Sequence, residues 1–169
     1  MKLKKMIATF GVEYLMKLLI KLDATRTCKD EQMNEEVWNT ALRLTENLRE
    51  KRSKKRYLGM LYACELLKEQ DREACIVGLL YGAVDCSRYT FEGLAREGIP
   101  MSVIERLKIL QTNEDENYMT YIARVKQDRM ATAVKIKELQ AAVEFLDKTA
   151  EEKAKHERAL LYLVNGDVA

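Results

Sequence analysis

One histidine and one proline occur in 169 residues, and no alternating apolar–polar pattern runs longer than a few positions. With His156 as the single imidazole, any site built from two histidines is excluded. The missing alternation argues against a sheet-based fold. Four cysteines are present, but Cys28, Cys64, Cys75 and Cys86 form no CxxC pair. Their apolar, helix-like contexts read as reduced, mostly core thiols of an intracellular protein. Net charge is scarce too: 29 basic residues face 27 acidic ones, a formal +2. That balance supplies no global field for nucleic acid or an anionic membrane, so either role would need a local patch. No stretch reaches the ~18 uninterrupted apolar residues of a membrane span.

What remains is helix-former composition. Leu, Ala, Glu, Lys, Met and Arg dominate, with 47% hydrophobic and 33% charged residues. The length suits one domain with a real core and is too short for two comfortable ones. The opening "MKLKKMIATFGVEYLMKLLIKLD" sets lysines before an apolar run, as a signal peptide does. Glu13, Lys17 and Lys21 interrupt that run, and no small-residue cleavage site follows. The expectation is a cytoplasmic protein.

Within that opening, Leu3, Met6, Ile7, Phe10, Tyr14, Leu15, Leu18, Leu19 and Leu22 recur at helical spacing. Residues 3–22 are therefore expected to form an amphipathic helix for core packing or homo-oligomer contact, rather than for a membrane surface. With the polar loop after it, this forms an N-terminal unit, residues 1–28, ahead of a helical domain at 29–164. A second helix is expected from about residue 34, sending Val37, Trp38, Ala41, Leu42, Leu44 and Leu48 inward. The basic run "EKRSKKR" follows at residues 50–56. Further helices are expected at about 57–69, 72–86, 90–97, 101–112, 114–127, 129–147 and 149–164. Gly98, Ile99 and Pro100 punctuate two of them, and Asn113 or Asn117 serves as an N-cap. The fold class is all-α, a single-domain helical bundle.

The centre of the chain raises a question. "LLYGAVDCSRYTFEGLAREGIP" at residues 79–100 starts as an apolar helix with Tyr81 and Gly82 in its middle. A glycine there costs about 1 kcal/mol relative to alanine. The stretch resembles the signature of HD-domain metal-dependent phosphohydrolases, in particular the branch of the (p)ppGpp hydrolase half of alarmone enzymes. That branch runs close to "LLHDVVEDTDYTFEDL". Downstream, "ENYMTYIARVKQDRMATAVKIKELQ" resembles the family's "YxxYIxRI…A…VKLADL". Upstream, "KRSKKRYLGMLYACELL" lies over its "RxSGxPYxxHPxxVA". The resemblance spans roughly residues 30–145 and implies an HD-like helical bundle.

In that family a divalent ion is held by a histidine, a His-Asp pair and a later aspartate. It generates a nucleophilic water that a Glu-Asp pair orients. By the resemblance, those metal positions fall on Met60, on Tyr81 and Gly82, and on Glu138. The Glu-Asp pair falls on Asp85 and Cys86. A thioether, a phenol and a hydrogen are poor ligands for a hard catalytic cation, so no metal and no other cofactor is expected. The reading is a catalytically inactive HD-fold protein, a binding or regulatory module for a nucleotide or phosphorylated ligand. Lys51, Arg52, Tyr57 and Lys135 are the ligand-binding candidates, the basic run being able to hold phosphates electrostatically.

Two alternatives stand beside it. One is a divergent phosphohydrolase whose rearranged site uses Asp85, Glu138 and Tyr81. The other is a structural interaction protein associating through residues 3–22. Nucleic acid is argued against, since no aromatics interleave with basic residues elsewhere. Each site residue also has a plainer reading. Tyr81 fits as a core aromatic, Gly82 as a close-packing residue and Asp85 as a solvated acid or cap. Glu138 fits as an i,i+3 partner of Lys135, Cys86 as structural, and His156 as a surface residue.

Overall fold

The structure, a computed structural model, is described for residues 35–46, 62–63, 65–68, 71–85, 89–145 and 149–166. The expected helix 3–22, Leu48, the basic run with Lys51 and Arg52, Tyr57, Met60, Cys28, Cys64, Cys86 and the Asp85 side chain lie outside the described residues. Seven helices are delimited among the described residues: α1 (Glu35–Glu46), α2 (Arg72–Asp85), α3 (Phe91–Arg96), α4 (Met101–Leu110), α5 (Tyr118–Val125), α6 (Arg129–Phe145) and α7 (Ala150–Asn165). Residues 62–63 and 65–68 are also helical, and no described residue lies in a strand. The described residues are all-α and form a single helical domain.

The core is built around α2. Ala74, Cys75, Ile76, Val77, Leu79, Leu80, Ala83 and Val84 are all buried, so this helix is apolar around its whole circumference. Such a helix belongs inside the bundle rather than on its face, and α2 packs against α1, α4 and α6. Gly78 marks a close approach: a Cβ there would meet Leu66 and Tyr62 at 3.4 Å. Trp38, Ala41, Leu42 and Leu44 of α1 are buried as their spacing predicts. Burying one leucine-sized side chain is worth roughly 1.5–3 kcal/mol, so this helical stripe anchors α1.

Short polar residues start the helices. Asp71, Thr90, Asn117 and Asp128 each accept a backbone N–H two or three residues on, satisfying donors the first turn leaves orphaned. At α7 the cap is reciprocal: Thr149 accepts from the Glu152 N–H, and Glu152 Oε2 accepts from the Thr149 N–H. The end of α3 explains the Gly98-Ile99-Pro100 punctuation. Gly98 takes φ +85°. Its N–H donates to Ala95 O, while that of Ile99 donates to Leu94 O, both at 3.1 Å. This is a Schellman stop, with Ile99 and Leu94 both buried.

The clearest differences from the expected boundaries flank residues 111–117. Helix α4 stops at Leu110 rather than 112, and α5 starts at Tyr118 rather than 114. Asn117 supplies the cap, and Arg124 holds the intervening loop. Its guanidinium donates to Ile109 O at 2.8 Å, to Gln111 O at 2.9 Å and to both Glu116 oxygens. The carbonyls that would have extended α4 are thereby taken by side chains.

Candidate functional site

Helix α6 carries a lysine where its pattern asks for an apolar residue. Ala131, Val134, Leu139 and Ala142 are buried, and Lys135 sits on the same stripe at 5% exposure. It is the one charged residue in the buried set among the described residues. Stripping water from an ammonium is costly unless hydrogen bonds and opposite charge replace it. Glu138, one turn on, supplies both: Lys135 Nζ donates to Glu138 Oε2 at 2.5 Å. The pairing of these two residues is legible in their i,i+3 spacing; its depth is not.

Two other helices close around the ammonium. Tyr81 of α2 and Tyr121 of α5 present their rings at 5.7 and 5.0 Å from Lys135 Nζ, within the ~6 Å at which a ring face attracts a cation. Tyr121 is itself anchored, its hydroxyl donating to Leu110 O at 2.7 Å. Tyr118, one turn earlier on α5, packs against the core and stacks obliquely near Tyr121, with ring centroids 6.2 Å apart. Its hydroxyl is buried and has no hydrogen-bond partner among the described residues.

Of the residues singled out from the sequence, the structure therefore brings together Tyr81, Lys135 and Glu138. Gly82 is buried beside Tyr81 on α2, and Asp85 is the last residue of that helix. Tyr118 and Tyr121 were not singled out, although "YMTY" places them at i,i+3, on one helix face. His156 corrects its expectation. It is half-buried rather than superficial, with its Nδ1 buried and its ring 6.3 Å from that of Tyr118. The cause is the packing of α7 on α5, which turns this position of a charged-looking helix inward.

The electrostatics of the cluster favour fixed charge over proton exchange. Burial is the largest influence on Lys135 and opposes its charge. The Glu138 carboxylate, with hydrogen bonds to Glu138 and Tyr121, outweighs it and holds the ammonium above the ordinary lysine range. Burial pushes Tyr121 up and takes Tyr118 from 10.0 up to about 12, with Lys135 pulling both the other way. Both phenols are thus neutral near pH 7, and Glu138 is the operative counterion of Lys135. A group that neither gains nor loses a proton near the working pH is a poor general acid or base.

The same geometry bears on the divalent ion of the HD family. A metal seated here would need Glu138, whose carboxylate already holds an ammonium, and would lie beside that positive charge. Gly82 offers no donor, and the phenol of Tyr81 is a weak ligand for a hard cation. The described donor set does not fit such an ion, and among the described residues no group of three or more His, Cys, Asp or Glu is placed to hold a metal. Nor is any helix among the described residues long and apolar enough to cross a membrane. In comparisons with known proteins, no family model and no curated protein matches this chain. The HD-like reading thus stands on the motifs quoted from the sequence.

Proposed function

We propose that this chain is a catalytically inactive, HD-like helical protein that works by binding, with a nucleotide or other phosphorylated ligand as its target. One observation carries the inactive half of this reading: the Lys135–Glu138 ion pair, enclosed by the Tyr81 and Tyr121 rings. At the position the resemblance gives to a metal-ligating carboxylate, the acid is neutralised by a lysine of its own helix. The ligand class rests on the resemblance and on the five cations Lys51, Arg52, Lys54, Lys55 and Arg56. Charged donors of this kind hold phosphate oxygens without a metal. Lys51, Arg52 and Tyr57 are the contacts proposed for the ligand; Lys135, the fourth candidate from the sequence, is already paired with Glu138. Self-association through residues 3–22 and a cytoplasmic location complete the proposal.

The test pairs a turnover assay with a binding assay. Incubation with nucleoside polyphosphates and Mn²⁺ or Mg²⁺ should release no phosphate. A thermal-shift panel of the same nucleotides should show stabilisation by at least one, since a ligand that binds only the folded chain raises its stability. That stabilisation should vanish in Lys51→Ala/Arg52→Ala. Chelator-sensitive phosphate release would instead establish the rearranged phosphohydrolase using Asp85, Glu138 and Tyr81. A panel without any shift would remove the nucleotide as the ligand class.

A further inference from the structure

The walls around the Lys135 ammonium come from three helices, and the lysine is not what holds them in place. Tyr121 is fixed by its hydrogen bond to Leu110 O and by burial at 1% exposure. Tyr81 projects from α2, whose neighbouring residues Leu79, Leu80 and Ala83 are buried. Glu138 lies on α6, which packs against α2, α4, α5 and α7. Two aromatic faces and one carboxylate converging on a point make a receptor for a positively charged nitrogen. We propose that Tyr81, Tyr121 and Glu138 form a binding site for a primary alkylammonium ion, and that the native chain fills it with its own Lys135.

The chemistry of the pieces defines the ligand. The carboxylate and the Tyr121 hydroxyl accept hydrogen bonds, so the cation must carry N–H groups. The rings attract positive charge without regard to its stem. Truncating Lys135 to alanine removes three carbons and the nitrogen, which together are an n-propylammonium ion. An enclosed space left by truncation can bind the missing fragment when its walls stay in place. An anion finds no such complement here, because the outward component of the pair is Glu138, with its side chain 22% exposed against 6% for Lys135. The site is therefore distinct in charge preference from the phosphate contacts proposed above, and the two readings stand or fall separately.

The experiment is chemical rescue in the full chain. Lys135→Ala is titrated with n-propylammonium chloride while thermal unfolding and the near-UV tyrosine signal are followed. The expected result is a saturable rise in Tm and recovery of the tyrosine signal. Sodium chloride at equal ionic strength, and sodium propionate, should give neither. Wild type and Lys135→Met should not respond, because their cage is filled. Adding Glu138→Gln to Lys135→Ala should weaken the response at least about tenfold, as expected when a charged hydrogen-bond partner is lost. If Lys135→Ala does not fold unaided, the same salts are compared as additives during refolding, with n-propylammonium alone expected to raise the yield. An equal response to sodium chloride or propionate, an equal response in wild type, or no response to n-propylammonium in both formats would overturn the proposal.

Discussion

Arg124 and Lys135 both lie against the ring of Tyr121, at 5.4 and 5.0 Å, and each is paired with a carboxylate. The Arg124 side chain is 32% exposed and divides its donors among Glu116 and two backbone carbonyls at the end of α4. The Lys135 side chain is 6% exposed and directs its charge at Glu138. Near the surface, the planar guanidinium fork sets the path of a loop, and solvent shares the charge. In the interior, a point charge is enclosed by aromatic faces, and everything around it must answer to its desolvation. The same chemical parts thus shape backbone in one place and fix an internal field in the other.

Substitutions on the two sides of Tyr121 should separate these roles. The largest effect belongs to Lys135→Met, which leaves the Glu138 carboxylate without its cation and should cost about 3 kcal/mol in denaturant unfolding. Adding Glu138→Leu should recover most of that loss, since an apolar pair of similar volume avoids the desolvation altogether. A double variant no more stable than the single one would show that the ion pair is not the source of the cost. Tyr121→Phe comes next, at about 1.5 kcal/mol, because it leaves the buried Leu110 carbonyl short of its donor.

Arg124→Lys should cost about 1 kcal/mol despite keeping the charge, since an ammonium cannot reach Glu116 and both carbonyls at once. Hydrogen exchange in residues 111–117 should speed up with it. Unchanged exchange there would mean the fork does not hold the loop. The smallest effect at neutral pH is that of Tyr118→Phe, whose signature lies in alkali. The native phenol keeps its proton to about pH 12 against 10.0 for the free group. Between those values the folded chain binds more protons than the unfolded one, so stability is complete below pH 10 and falls as pH rises toward 12. Lys135, held above its usual range, contributes a loss of the same sign at higher pH. The alkaline decline should be shallower in Tyr118→Phe, and an ultraviolet titration of tyrosine ionisation should lose a late-titrating component.

Much of the helical layout can be read locally. Asn117 as a cap, Gly98-Ile99-Pro100 as a break and the inward set Trp38, Ala41, Leu42 and Leu44 depend on residues within a turn or two of one another. The boundaries that moved did so for a reason outside that range. Whether residues 111–117 continue a helix is decided by Arg124 reaching back to the end of α4. His156 illustrates the same limit, since its neighbours Lys155, Glu157 and Arg158 look like a solvated face and only the packing of α7 on α5 turns it inward. For the candidate site, the Lys135–Glu138 spacing was visible. The contribution of Tyr121 was not, because nothing local connects "YMTY" with the middle of α2.

The amino-acid order by itself determined that this chain is helical, where most helices begin, and that α2 is apolar enough to form the centre of the core. These are consequences of backbone hydrogen bonding and side-chain periodicity, which act over a few residues. Only the tertiary structure decided that Lys135 would be buried and that Tyr81 and Tyr121 would face its charge. A charge can be kept in a dry interior only where partners from separate helices meet, and that meeting is a property of the assembled bundle.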